Sequence, residues 1–567
     1  MFHISKSAAR SLTLAALLTI LLAVPACVIR RPRAPRVTWD DPTQWQVLKN
    51  KETTCELRSE AGPSGGVLRL DYTLGGSHGY VELTKAVAKP APEDVPVAFS
   101  IRCEGTGDLE LKFVDADGSV FGRKDPLAGQ YKDWTPLVVY WGNTEYWWGG
   151  DDEYSGLARF QWVVSGKGRG TVWIDDIGLG APGLKASFPA GGSVLDPDRE
   201  LAGIGFRQRR AAAPTPEDPL VLEWLKQVQD VSSPARKVLP SMENNELQTF
   251  NNALAAMAFI VKGERERAER ILDFFAAATV RTNEDPTLQN FFYRGEPRGF
   301  FQAVNLNDDA TAKALHTFKP TDRWMGDMAW LLVAYKCYEK EFGTHRYEEI
   351  THLLKDLLVS WYTDASDGPG GYVQHGWIKG DSKLHAGFGH AEGNIDCYAV
   401  FKLCGEERLA EKIKTWLDRV IKGKALPLDN YTWRALAFGK DYAKVLNTPD
   451  YDLRYRKTLT VNGNPVAGLY DHADLNITNS WLDGVGHIAC AYLSVGEMER
   501  GWFYGNQLDP FLIDRNINGV RTRSLPYTAN AEGGYGWVLL DRGFLSVAAW
   551  YILAKNEFNP MTLEKHR

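Results

Sequence analysis

The hydrophobic period of this chain changes once, and that change constrains the fold more than any other feature. From about Val37 to Gly180 apolar and polar residues alternate in short runs, with Gly and Asp between them. Gly66-Val67-Leu68-Arg69-Leu70-Asp71-Tyr72 and Leu109-Glu110-Leu111-Lys112-Phe113-Val114 are two such runs. Beyond the loop that ends at Pro219 the period is helical. Short alternating strands joined by turns predict a β-sandwich of the jelly-roll kind over 37–182. The helical pattern predicts a second domain over 220–567, with 183–219 as linker. At 567 residues the chain is too long for one core, which agrees with such a division.

Within the second half a unit recurs: an apolar helix, a glycine turn and a more charged amphipathic helix. The pattern predicts Leu247 to Val261 turning at Gly263 into Arg265 to Ala278, and Met328 to Phe342 turning at Gly343 into Tyr347 to Trp361. It also predicts Ile395 to Leu403 turning at Gly405 into Glu407 to Ile421. Tyr431 to Phe438, Val485 to Leu493 and Leu545 to Ala554 read as further apolar helices, giving six. Pairs of this kind are expected to close into a ring with the apolar set inside.

Lys6 and Arg10 precede an apolar run from Leu12 to Val24 that ends at Pro25-Ala26-Cys27. This is the pattern of a secretory signal over 1–26 and predicts export. Leu22-Ala23-Val24-Pro25-Ala26-Cys27 resembles the bacterial lipoprotein lipobox, which makes Cys27 the lipidated residue, the membrane a partner and the basic, proline-rich 27–36 a tether. By the same analogy, Val28 after Cys27 favours the outer membrane; simple cleavage and release is the alternative. An exported location permits Cys55 and Cys103 to pair, while Cys337, Cys397, Cys404 and Cys490 fall in helical patterns as buried thiols. No CxxC or HExxH is present, so no zinc site is expected. A net charge of −6, with no long basic run after the first forty residues, argues against nucleic acid as a partner.

The helical half resembles the six-hairpin (α/α)6-toroid glycosidases from roughly Leu220 to Pro560. The carrying segments include Gly326-Asp327-Met328-Ala329-Trp330, Ala391-Glu392-Gly393-Asn394-Ile395-Asp396 and Ser480-Trp481-Leu482-Asp483-Gly484-Val485-Gly486-His487. The resemblance implies an all-α (α/α)6 toroid. Hydrolases, phosphorylases, lyases and epimerases share that architecture, so it does not settle the reaction. Val172-Trp173-Ile174-Asp175-Asp176-Ile177 and Trp147-Trp148-Gly149-Gly150 resemble jelly-roll carbohydrate-binding modules. That resemblance implies a structural calcium on Asp175 or Asp176, although turn and edge acids account for them equally well. It also implies a sugar platform of Trp141, Trp147 and Trp148, although a core role is the better reading for at least one of them.

In such toroids the cleft lies at the N-terminal ends of the inner helices. Acids gather there: Glu243, Glu246, Asp322, Asp327, Glu392, Asp396, Asp429, Asp483, Glu532 and Asp541. Helix capping competes for every one of them. Aromatic residues crowd the same segments, as sugar subsites require and caps do not. The resulting expectation is an exported glycoside hydrolase acting on a polysaccharide without a cofactor, inverting by resemblance, with Glu392 as acid and Asp327 or Asp483 as base. Glu243 is the reserve. Trp324, Arg323, His390, Asn394, Tyr398, Trp433, Trp481, His487 and Tyr527 are the candidate substrate contacts. Two alternatives stand beside it: a uronate lyase using His390, Asn394, Tyr398, Arg434 or His487, and a non-catalytic glycan-binding lipoprotein. The sequence leaves the oligomeric state open.

Overall fold

The computed structural model describes residues 41–62, 65–91, 97–128, 131–139, 144–150, 154–179, 214–232, 238–241, 246–285, 288–305, 321–378, 384, 389–421, 426–452, 454–461, 464–473, 477, 479–529 and 542–566. The signal segment, Cys27, the tether, Trp141, Glu243, Glu532, Trp537, Asp541, the side chain of Asp176 and most of the linker lie outside these. Residues 39–567 form one compact unit that holds two hydrophobic cores, one from Trp45 to Ile177 and one from Val221 to Leu563.

The first core belongs to nine antiparallel strands: β1 (Gln46–Lys49), β2 (Thr54–Gly62), β3 (Gly65–Ala91), β4 (Val97–Gly105), β5 (Asp108–Val114), β6 (Val120–Pro126), β7 (Thr135–Val139), β8 (Glu145–Trp148) and β9 (Leu157–Leu179). Alternation works as the sequence implies. Leu109, Leu111 and Phe113 enter the core, while Glu110 and Lys112 between them face away. The expectation of a two-sheet jelly roll needs correction, because the hydrogen bonding makes one branched sheet ordered β1-β3-β9-β5-β6-β8. The reason is length. β3 and β9 pair from Leu68↔Ile174 to Ala91↔Leu157, with register shifts between Leu74 and Gly79 and between Ala86 and Ala91, so the same two strands run through the whole module. The two halves of β9 carry different partners: Arg159–Ser165 pair with β5 and Gly170–Leu179 with β4.

The expected Cys55–Cys103 bridge is also corrected, since both thiols are free. Cys55 on β2 lies opposite Tyr72 of β3, and Cys103 on β4 lies opposite Val172 of β9. Two strands separate them. At about 4.8 Å per strand that is about 14 Å, and a disulfide spans less than about 7 Å between Cα atoms. Asp175 is buried on β9, and among the described residues no group of three or more His, Cys, Asp or Glu is placed to hold a metal. The side chain of Asp176, the other residue of the calcium site that the resemblance implied, lies outside the described residues.

The second core is built by helices α1 (Pro219–Ser232), α2 (Thr249–Val261), α3 (Arg265–Ala277), α4 (Met325–Phe342), α5 (Glu348–Trp361), α6 (Ala391–Leu403), α7 (Glu407–Val420), α8 (Leu428–Phe438), α9 (Asn447–Tyr451), α10 (Leu482–Ser494), α11 (Met498–Asn506) and α12 (Leu545–Lys555). Six of them, α2, α4, α6, α8, α10 and α12, pack each against the next, and α12 returns to α2. They are buried nearly all round; α2 buries all but Phe250 and Val261. α7 is of the outer type, burying only the stripe Ala410, Ile413, Trp416 and Leu417. Gly343 caps α4 at φ 60°, the left-handed conformation that favours glycine.

This region is not the all-α toroid that the resemblance implied. Seven two-stranded sheets interrupt its described residues, including Arg323–Trp324 with Gly376–Trp377 and Arg456–Val461 with Asn464–Leu469. Where an outer helix after α8 was expected, a 3-10 segment, Gly439–Leu446, leads into the short α9. Strands of two to six residues give too little alternation to compete with helical periodicity in the sequence.

A buried ionic cluster joins the strand module to the helical region. Arg123 of β6 pairs with Asp125 at 2.9 Å and lies 3.7 Å from Asp452, and Arg454 pairs with Asp452 at 2.8 Å and lies 3.9 Å from Asp125. All four are buried.

Candidate functional site

In an α-helix, residues four apart lie on one face, one turn apart. Each of the six inner helices applies this at its N-terminus. Their second residues are Phe250, Gly326, Glu392, Asp429, Asp483 and Ser546, and their sixth residues are Leu254, Trp330, Asp396, Trp433, His487 and Trp550. The two sets make two layers facing the interior of the ring. In the upper layer the Glu392 and Asp429 carboxyls share a hydrogen bond, and Asp483 Oδ2 accepts one from Ser546 Oγ at 2.7 Å. In the lower layer Trp330, Trp433 and Trp550, from alternate helices, meet at ring-centroid distances of 5.5, 5.5 and 5.9 Å. His487 sits against Trp433 at 4.7 Å and Trp481 at 5.1 Å. The Glu392 side chain is 24% exposed and Asp396, one turn deeper, is 2% exposed, so the upper layer is the mouth and the lower layer the floor.

None of the upper-layer acids is an N-cap. The N-cap positions of α4, α6, α8 and α10 hold Trp324, His390, Pro427 and Trp481, and none makes a side-chain cap bond. Trp324 folds over the first turn of α4 because Gly326 has no side chain; a Cβ there would lie 2.5 Å from the Trp324 ring.

The acids repel one another, and burial adds to the effect. Burial, followed by the charges of Asp429 and Asp396, pushes the Glu392 carboxyl well above its usual range. Asp429 is raised to about 6 by burial and by Asp471, and the hydrogen bond from Glu392 opposes that rise. Asp396 is raised by burial and by Asp429, with only the Trp330 indole in relief; neither of its oxygens makes a well-formed hydrogen bond. Burial raises Asp483 to about 7 and lowers His487 to about 3, leaving a neutral imidazole with neither nitrogen hydrogen-bonded. Asp483 Oδ1 and the indole nitrogens of Trp433 and Trp481 are unpaired too. Buried polar atoms are normally satisfied. Their concentration sets this end of the ring apart as the polar end of an otherwise apolar core.

The other expected residues fall into two groups. His390 Nδ1 stands 3.9 Å from Glu392 Oε2, with Trp324 edge-on to the ring at 5.8 Å, and the Trp481 ring lies 6.4 Å from that of Tyr527; these line the mouth. Asp327 is raised to about 7 by burial and accepts the Phe250 N–H at 3.0 Å, so it serves the start of α2. Arg323 donates to the carbonyls of Asn290 and Gly299 beneath the Phe301 ring. Asn394 bridges the Val373 backbone and the His390 carbonyl. Tyr398 packs on Phe438 at 4.6 Å. Each of these four has a structural task. Asp471 and Trp550 were missed as site residues. The spacing of four that links Glu392 to Asp396, Asp429 to Trp433 and Asp483 to His487 also links Ser546 to Trp550, and would have found the latter.

Asp483 carries a pH signature. The folded protein keeps a proton on it up to about pH 7, whereas an unfolded Asp releases it near 3.9. The folded state binds more protons in that interval, so this group's contribution to stability falls as pH rises from about 4 to about 7. Asp483→Asn is expected to lose less melting temperature than wild type between pH 5 and pH 8. An unchanged pH slope in thermal scans would show that Asp483 is ionised throughout.

No family model and no curated protein matches the chain. Among solved structures it is similar to a family 11 carbohydrate-binding module of a cellulosomal cellulase of Clostridium thermocellum (12% identity, TM-score 0.22, 26% of this chain and 95% of that one). It is similar to such a module from the same organism in complex with a β-1,3-1,4-mixed-linked tetrasaccharide (10% identity, TM-score 0.21, 24% of this chain and 88% of that one). It is also similar to a glycosidase (12% identity, TM-score 0.40, 63% of this chain and 98% of that one). These likenesses are too low to assign a role to any residue, so the functional reading rests on the site.

Proposed function

We propose that the protein hydrolyses glycosidic bonds of a polysaccharide, with Glu392 as the proton donor. One observation carries this reading: a part-exposed carboxyl that shares a hydrogen bond with a second one and is kept protonated by burial and by the acids of neighbouring inner helices. Hydrolysis needs one carboxyl to protonate the leaving oxygen and a second to activate water. Asp429 is hydrogen-bonded to Glu392, too close for the second role, and acts instead to keep the proton on Glu392. Asp483 is separated from Glu392 by α8, carries a free Oδ1 and ionises at about pH 7, which suits the base. Inverting hydrolysis places the two carboxyls about 6.5–9.5 Å apart, leaving room for the water. A uronate lyase is less well supported. It needs an Asn or Arg free to neutralise the uronate, and both residues considered for that task are occupied: Asn394 on the Val373 and His390 backbone, and Arg434 on the Asn430 carbonyl and the Tyr431 ring.

Purified protein incubated with a panel of polysaccharides is expected to generate reducing ends without ultraviolet-absorbing products. Unsaturated, absorbing products would establish elimination, and glycan binding with no product would establish a binding protein; either result overturns the hydrolase.

A further inference from the structure

The segment that ends at Asp471 runs from the strand module to the mouth of the ring. It begins in the buried ionic cluster, where Arg454 pairs with Asp452 and lies 3.9 Å from Asp125 of β6. Tyr455 follows. Its carbonyl accepts the Tyr470 N–H at 2.6 Å, and its hydroxyl donates to the Leu426 carbonyl, just before α8, at 2.6 Å. The hairpin of Arg456–Val461 and Asn464–Leu469 lies between Tyr455 and Tyr470, so these two residues close its base. The residues that leave the hairpin hold the starts of two inner helices. The Asp471 carbonyl accepts the Leu428 N–H of α8 at 2.7 Å, one of the donors that a helix start leaves without an intrahelical partner. The Leu469 carbonyl accepts the Trp481 N–H at the start of α10, also at 2.7 Å.

We propose that the strand module is a working part of the site: it clamps the hairpin that sets Asp471 beside Asp429, and Asp471 is thereby a positioning residue for the proton shared by Glu392 and Asp429. The consequence for turnover rests on the hydrolase reading; the placement does not. Asp429, Asp396 and Asp471 face Glu392, with His390 3.9 Å away. Glu392 and Asp471 face Asp429, and His472 Nδ1 stands 3.0 Å from Asp471 Oδ2 on the solvent side. Like charges at this range favour the protonated form, so a third carboxylate fixed beside the pair keeps its proton bound. Burial and then Asp471 raise Asp429, and Asp471 adds to the burial, Asp429 and Asp396 that raise Glu392. A carboxylate free to turn into solvent would be screened and lose that hold. The base of the hairpin prevents this, and the base is itself fixed by buried charges whose separation is costly.

The test follows the titration of Glu392 by carbon-13 NMR in protein labelled at its glutamate carboxyls, the signal being assigned by its loss in Glu392→Gln. Asp471→Asn removes the charge and keeps the backbone carbonyl that holds Leu428. It is expected to move the Glu392 titration to lower pH by roughly one unit, and the alkaline limb of the kcat/KM profile on the active glycan with it. Arg123→Gln, in the strand module, is expected to move both in the same direction by less, and Arg123→Lys to restore them. The sign discriminates between causes, because loss of a positive charge acting through space alone would move Glu392 to higher pH. In the Asp471→Asn background, Arg123→Gln is expected to add no further downward shift. Thermal scans establish that each variant is folded at the temperature used, and Arg123→Met, with the same change of charge, replaces a glutamine variant that does not fold. A Glu392 titration unmoved in Asp471→Asn overturns the role of Asp471. One unmoved or raised in a folded Arg123→Gln or Arg123→Met overturns the role of the strand module. The expected shifts in a protein that cleaves no glycan uphold the positioning while the hydrolase falls. A shifted Glu392 with an unshifted alkaline limb likewise upholds the placement and removes Glu392 as the acid.

Discussion

Glu392→Gln is expected to lower turnover by roughly 10²–10⁴-fold with little change in melting temperature. The amide keeps the shape of the side chain and removes the proton it has to give. It can donate to Asp429 as the carboxyl does, so the contact across the mouth survives. Glu392 caps no helix, and no backbone group depends on it. Kinetics on the active glycan, read beside a thermal scan, check both halves. Near-wild-type turnover, or a protein that simply unfolds, would return Glu392 to a structural role.

The second large effect concerns stability. Removing one member of the ionic cluster formed by Arg123, Asp125, Asp452 and Arg454 leaves the others buried without full compensation, which costs about 3–5 kcal/mol. Asp452 shows the balance. Burial acts to raise its carboxyl, but Arg454 and Arg123 hold it below the usual range. Its stabilisation is therefore present above the unfolded pKa and lost as pH falls through the lower folded value. Arg454→Ala is expected to show the full loss in urea unfolding at neutral pH. Because the cluster joins the strand module to the helical region, the variant is also expected to separate their unfolding into two transitions. A loss under about 1 kcal/mol, with a single transition kept, would show that the cluster contributes little.

The sequence carried the six inner helices and missed how they begin. The apolar pattern started α4 at Met328, α6 at Ile395, α8 at Tyr431 and α10 at Val485, whereas these helices begin at Met325, Ala391, Leu428 and Leu482. Their first turns hold Gly326 and Asp327, Glu392 and Gly393, Asp429, and Asp483 and Gly484, polar or side-chain-free residues that break an apolar stripe. The functional residues thus hid the helix ends, and Glu392 read as a residue before a helix when it is inside one. The hairpins between helices escaped for want of length. The single branched sheet escaped because alternation reports which face a residue takes, not which strand it pairs with. Arg323 and Asn394 looked like ligand contacts because they sit beside the right acids; only the structure shows them bound to backbone.

The most direct test of Glu392 as proton donor is the dependence of its loss on the leaving group. Expulsion of dinitrophenolate needs no protonation, whereas expulsion of a sugar alkoxide does. Wild type and Glu392→Gln should be compared on the natural glycan and on the dinitrophenyl glycoside of its terminal sugar. The predicted result is a loss of roughly 10²–10⁴-fold on the glycan that largely disappears on the activated substrate. An equal loss on both would contradict proton donation by Glu392.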